Sequence, residues 1–101
     1  MPLYRVALRG ENFLLNLTGE PQLLGFDVTH YVKAASEEEA ERKAVILTRS
    51  RRDLQDALLN PRENPTRLIC TSIKRVRLRR SRQDGVYAFF DMDEPKDAST
   101  G

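Results

Sequence analysis

The chain has 101 residues, of which 40% are hydrophobic and 32% are charged, enough for one small domain with a modest core and a heavily ionised surface. This balance excludes collagen-like, mucin-like and wholly disordered chains. No apolar run approaches the roughly 20 residues of a membrane helix, and the N-terminus lacks the apolar core of a signal peptide. We therefore expect a cytoplasmic protein that does not contact a membrane.

The net charge of +2 hides an uneven distribution along the chain. Residues 67–82 contain seven basic side chains and no acidic one, whereas residues 91–101 contain four acidic side chains and one lysine. We expect residues 1–90 to form a single domain and residues 91–101 to be a disordered acidic tail. This asymmetry is the strongest compositional clue to a binding partner.

Three strands are predicted before the first helix. Residues 3–9 alternate between apolar and polar side chains, as a half-buried strand does, and residues 10–12 supply turn chemistry. Residues 13–17 then form the apolar face of a second strand. After a second turn at residues 18–22, residues 26–33 alternate again and predict a third strand.

A helix is predicted to begin at Ser36, where the spacing of the apolar residues changes from that of a strand to that of a helix. Ser36 and Glu39 form a capping box, in which the serine hydroxyl accepts the Glu39 N–H and Glu39 reaches back to the Ser36 N–H. The spacing of the apolar residues predicts a buried stripe of Ala40, Ala44 and Leu47, to which Val45 or Ile46 adds apolar surface.

The region after this helix leaves one alternative open. Residues 49–52 are wholly polar, and Leu54, Ala57 and Leu58 then resume helical spacing. Either one helix bends near Ser50 or a second short helix starts there. Asn60 and Pro61 are expected to end it, because proline cannot continue a helix.

The last two strands are predicted to pair as a hairpin around a loop at residues 83–85 with glycine in its left-handed position. This register places Val76 opposite Met92, Arg77 opposite Asp91 and Arg79 opposite Phe89, and a bulge is expected near Lys74. The order β-β-β-α-(α)-β-β predicts the α+β class. We expect a mostly antiparallel sheet of about five strands with the helix on one face.

The candidate binding face combines the basic strand with the aromatic one. Arg75, Arg77 and Arg79 would project from one sheet face, flanked by Tyr87 and Phe89 in the predicted register. Cations beside aromatic platforms are how sheet surfaces bind single-stranded nucleic acid. Residues 87–92 resemble the aromatic strand of the RNA-recognition motif. That family runs β-α-β-β-α-β, however, so its assignment is not carried over.

Catalytic and cofactor chemistry finds little support in the sequence. Cys70 and His30 are the sole cysteine and histidine, and a thiolate nucleophile would need the histidine in contact as a base. They are more simply interpreted as a buried thiol and a core histidine. One histidine and one cysteine also fall short of a four-ligand zinc site. We expect no enzyme activity, cofactor, metal or small-molecule ligand.

Three functions therefore remain open. The leading one is a non-enzymatic interaction domain that binds another protein or itself. In a homodimer, glutamates of the first helix could meet the arginines across the subunit interface. The alternative is single-stranded nucleic-acid binding through the candidate face. The third is a small enzyme that uses His30 or Cys70.

Overall fold

A computed structural model describes residues 1–77 and 85–92 of the chain. Its elements are β1 (Leu3–Leu15), β2 (Gln22–Lys33), α1 (Glu37–Arg49), α2 (Arg52–Ala57), β3 (Arg67–Val76) and β4 (Tyr87–Asp91). The strands form one antiparallel sheet in the order β3-β1-β2-β4, and α1 packs against β1, β2 and β3. The predicted α+β class is confirmed, with four strands in place of about five. Neither described helix has the length and apolar character needed to cross a membrane.

The first two predicted strands are one long strand, β1. Gly10 pairs with Phe26 and Phe13 pairs with Leu24, so β1 holds one more residue than β2 across this interval, and Asn12 has φ 62°. This β-bulge shifts the alternation, so that the buried side chains change from even positions such as Leu8 to odd positions such as Phe13. The turn predicted at residues 10–12 was wrong, because its turn-forming residues shape a bulge and do not reverse the chain.

Two glycines in the sheet are covered by aromatic rings from the neighbouring strand. Phe26 lies over its partner Gly10 on the face that α1 covers, and Phe90 lies over its partner Gly25 on the opposite face. A Cβ atom at either glycine would overlap the ring. The missing side chains thus leave room for the aromatic cross-strand packing that holds β1, β2 and β4 together.

Helix α1 begins as predicted, but its buried stripe differs. The Ser36 hydroxyl accepts the Glu39 N–H at 3.2 Å, whereas the Glu39 carboxylate accepts the Ala35 N–H at 2.6 Å, and not that of Ser36. The buried positions are Ala40, Ala44 and Thr48, while the predicted Leu47 is 49% exposed. Thr48 can replace an apolar residue there because its hydroxyl donates to the Ala44 carbonyl at 3.0 Å.

A second short helix, α2, follows α1, which resolves the alternative near Ser50. Arg51 is extended between the two helices, at φ −65° and ψ 118°. Helix α2 ends at Ala57, before the predicted stop at Asn60, because Leu58 becomes extended and pairs with Leu15. The Asn60 side chain joins this region to the β1 bulge, accepting the Leu14 N–H and donating to the Asn12 carbonyl, both at 2.8 Å.

The predicted hairpin between the last two strands is wrong. β3 pairs with β1 and β4 pairs with β2, so the two strands lie at opposite edges of the sheet. The proposed pairs Val76–Met92 and Arg77–Asp91 therefore do not form, and Arg79 lies outside the described residues. On β2, the β4 aromatic rings gain contacts with Phe26 that a pairing with the arginine-rich strand would not supply.

The bulge predicted in β3 exists, but three residues earlier than Lys74. Ala7 pairs with Ser72 while the next residue, Leu8, pairs with Cys70, which leaves Thr71 as the extra residue. The Thr71 hydroxyl donates to the Ala7 carbonyl at 3.2 Å. This bulge allows Cys70 and Ile73 to face the same side of the sheet and to pack against the core.

The ring-over-glycine packing predicts that Gly25→Ala is destabilising, although glycine is normally a poor strand residue. The new methyl group would overlap the Phe90 ring and approach the Gly10 carbonyl oxygen to 2.9 Å. We expect the free energy of unfolding to fall by about 1–3 kcal/mol in urea denaturation. In a Phe90→Ala background the same substitution should cost less, and an equal cost in both backgrounds would contradict the packing.

Candidate binding face

The residues of the predicted binding face lie far apart. Arg75 is in β3, opposite Tyr4, and Arg77 follows the end of that strand. Tyr87 and Phe89 are in β4 at the other edge, three strand spacings or about 14 Å away. Arg79 is outside the described part of the chain. The structure therefore separates Arg75 from Tyr87 and Phe89 by the width of the sheet.

Tyr87 and Phe89 of β4 lie on the α1 side of the sheet, where Tyr87 packs against the core and Phe89 is 40% exposed. The Tyr87 ring lies 5.1 Å from Phe26 and stacks on Phe89 at 6.1 Å between centroids. The cation beside Tyr87 is Arg51, whose guanidinium carbon lies 4.1 Å from the ring centroid. The sequence carries no local signal for this contact, because Arg51 lies in the junction between the two helices.

Arg51 is held in place by a second partner. Its Nε donates to the Asp53 carboxylate at 2.7 Å, and this hydrogen bond raises the pKa of Arg51 and lowers the pKa of Asp53. Since the guanidinium is shared between Asp53 and the Tyr87 ring, its main effect is to clamp β4 against the helix junction. We assign it a structural role.

The sheet face opposite α1, here called the open face, has an ordered surface. Residues that are opposite one another in register form rows across β3, β1 and β2. Three successive rows are Lys74, Arg5 and Tyr31; Ser72, Ala7 and Thr29; and Ile69, Arg9 and Asp27. The side chains of the middle row are short and those of the two flanking rows are long. A trough of about 390 Å³ therefore crosses the sheet, lined in part by Arg5, Ala7, Asp27, Thr29, Thr71 and Val86.

The two walls of the trough differ in charge. On one wall Arg9 lies 3.8 Å from the Asp27 carboxylate and 4.6 Å from the Phe90 ring centroid. On the other wall Arg5 lies directly opposite Lys74, and no carboxylate of the described residues lies within 4 Å of either. One wall is thus neutralised and the other carries two adjacent positive charges.

Further cations lie at the same end of the sheet. Lys33, Arg75 and Arg77 line a cavity of about 570 Å³ together with apolar residues such as Leu3 and Val76. Lys33 is opposite Leu3 on the open face, whereas Arg75 is opposite the buried Tyr4 on the α1 side. Arg5, Lys33 and Lys74 define what we call the basic end. The strand ends thus collect positive charges that lie apart in the sequence.

The other end of the open face is apolar. Leu14 and Leu23 are opposite each other in register, on the face that Phe13 and Leu24 leave open. The Leu59 N–H donates to the Leu14 carbonyl at 2.8 Å, and the Leu59 side chain is 45% exposed. The open face is therefore polarised, with leucines at one end and cations at the other.

The edges of the sheet are poor templates for an added strand. β3 carries the Thr71 bulge as well as Lys74 and Arg75, and β4 has only five residues. Bulges, edge cations and short edge strands all reduce pairing with another chain. Binding is more readily accommodated on the open face.

His30 and Cys70 do not form a catalytic pair. They lie in β2 and β3, which β1 separates. His30 is buried, with its Nε2 2.9 Å from the Thr48 hydroxyl, and Cys70 contacts the Ser72 carbonyl at 3.7 Å. Burial raises the pKa of Cys70, with a further contribution from Glu41, whereas a nucleophilic thiol needs a lowered pKa.

No family model, curated protein or solved structure matches this chain. Within the described ranges, the histidine, cysteine and carboxylate side chains form no cluster of three or more that could hold a metal ion.

The environment of Cys70 predicts the pH dependence of its alkylation. Because the thiolate is the reactive form and the pKa is raised, the midpoint of the iodoacetamide rate against pH should lie above that of the same protein unfolded in urea. Restricted access would lower the rate without moving this midpoint. A midpoint at or below that of the unfolded protein would contradict this prediction, and one below it would indicate an activated thiol.

Proposed function

We propose that the chain is a non-enzymatic binding domain whose open face takes an acidic segment of another protein. The observation that supports this most directly is the Arg5–Lys74 wall, where two cations are adjacent without a carboxylate within 4 Å among the described residues. Like charges directly opposite each other in a sheet are destabilising. An anionic partner would relieve this repulsion on binding.

The polarity of the open face specifies the partner further. Cations at one end and the exposed Leu59 at the other suit a segment that carries carboxylates at one end and an apolar side chain at the other. The charges would increase the association rate and fix the orientation. The buried apolar contact would supply most of the affinity. The partner is therefore an amphipathic acidic segment.

A second copy of this chain is one protein that offers such charge. Glu37, Glu38 and Glu41 lie exposed in the first turns of α1, and Glu37 and Glu41 are near Cys70 of the edge strand β3. They would complement the basic end of another copy. Sedimentation equilibrium reports whether the partner is the same chain.

Single-stranded nucleic acid is the second candidate, favoured by the three cations of the basic end. Its phosphates would contact Arg5, Lys33 and Lys74, and its affinity would fall steeply with salt. The stacking platforms expected for bases are less favourable, because the Tyr87 ring is packed against Phe26 and covered by Arg51. We therefore place the acidic protein segment first.

Charge reversal on the open face tests the proposal. A labelled peptide of glutamates with leucine at every fourth position should bind, and Arg5→Glu with Lys74→Glu should weaken it at least tenfold in fluorescence anisotropy. The control is Arg42→Glu with Arg52→Glu, which makes the same change of net charge on the exposed helices. Equal weakening by both pairs would contradict an open-face site. Tighter binding of a twelve-nucleotide single-stranded RNA with the same variant dependence would favour the second candidate.

A further inference from the structure

We propose that the Arg5–Lys74 wall is a site for a phosphate monoester, so that the acidic segment bound by the open face is a phosphorylated one. This inference rests on the proposed function, since it specifies the chemistry of the partner at the same face. It concerns one wall of the trough and the row of hydroxyl groups beside it.

The charge of the wall matches a phosphate monoester better than a carboxylate. Arg5 and Lys74 are cross-strand partners on one face, so their side chains begin about 5 Å apart and can contact a common anion. A phosphorylated side chain carries about −1.5 to −2 charges, whereas a carboxylate carries one. Two cations and a near-dianion are neutral together, and a carboxylate would leave one positive charge uncompensated.

The donor groups also match three phosphate oxygens. Arginine can bind two oxygens through its planar fork, and lysine contributes a point charge. Thr29 and Ser72, which carry hydroxyl groups, flank Ala7 in the next row, and Thr29 and Ala7 line the trough. A phosphate that lies between the two rows would have charged donors on one side and neutral donors on the other.

Asp27 on the opposite wall argues against a nucleic acid in the same trough. Its side chain is 60% exposed while it pairs with Arg9. A chain of phosphodiesters that crossed the sheet would place successive negative charges past this carboxylate. A single phosphate at the Arg5–Lys74 wall avoids it. Asp27 therefore favours an isolated phosphate over a polyanion.

The test compares three peptides of one sequence with serine, glutamate or phosphoserine at the centre, titrated against the full chain by calorimetry. The phosphoserine peptide should bind at least tenfold more tightly than the glutamate peptide. Arg5→Gln with Lys74→Gln should abolish this preference, whereas Arg42→Gln with Arg52→Gln should preserve it. Because the first pair removes a like-charge contact, thermal unfolding should show it to be at least as stable as the parent chain.

The remaining outcomes separate this inference from the proposed function. If the glutamate peptide binds as tightly as the phosphoserine peptide and both depend on Arg5 and Lys74, the phosphate inference falls and the proposed function stands. If no peptide binds, both fail. If inorganic phosphate binds at this wall while the peptides show no preference, the ligand is a free phosphate. Tightest binding by a twelve-nucleotide single-stranded RNA would overturn the choice of a protein partner.

Discussion

The structure depends most on the packing of one buried ring, that of Phe26 in the central strand β2. The ring occupies the space over Gly10, and its centroid lies 4.9 Å from that of Phe13, 5.1 Å from that of Tyr87 and 5.7 Å from that of Phe89. It thereby joins both halves of β1 across the bulge and draws β4 onto the free edge of β2. The absence of a side chain at Gly10 is what makes this arrangement sterically feasible.

The sequence predicted what local chemistry determines and failed where distant contacts decide. The Ser36 cap is encoded within four residues and was confirmed, because a serine hydroxyl and the Glu39 N–H need nothing else to meet. The position of β4 depends on a competition between β3 and β2 for the same strand. Phe26 and the rings around it decide that competition, and together they come from three separate segments, β1, β2 and β4. No residue pattern near β4 in the sequence predicts which strand β4 pairs with.

The expected proximity of Arg75 and Tyr87 was wrong for the same reason. Arg75 and Tyr87 were expected to share a face because a hairpin would have made their strands neighbours, and the sheet order separates them. The pairing of Arg5 with Lys74 could not be read from the sequence, since it depends on how β3 aligns with β1 after the Thr71 bulge. The excess of positive charge in residues 67–82 is visible in the sequence, and Lys74 is a member of this group on the open face.

The two sides of the sheet differ in how many residues the fold itself requires. Under α1, nearly every side chain contributes to packing, and even the polar Thr48 is hydrogen-bonded to its helix and to His30. On the open face, Arg5 and Lys74 do not stabilise the fold, because like charges that are opposite each other in a sheet are destabilising. The cost of such a pair is about 0.2–1 kcal/mol. Such a cost is small beside a typical stability of about 5–15 kcal/mol. An exposed sheet face can therefore hold binding charges that a buried position could not, and this is the physical reason to look for function there.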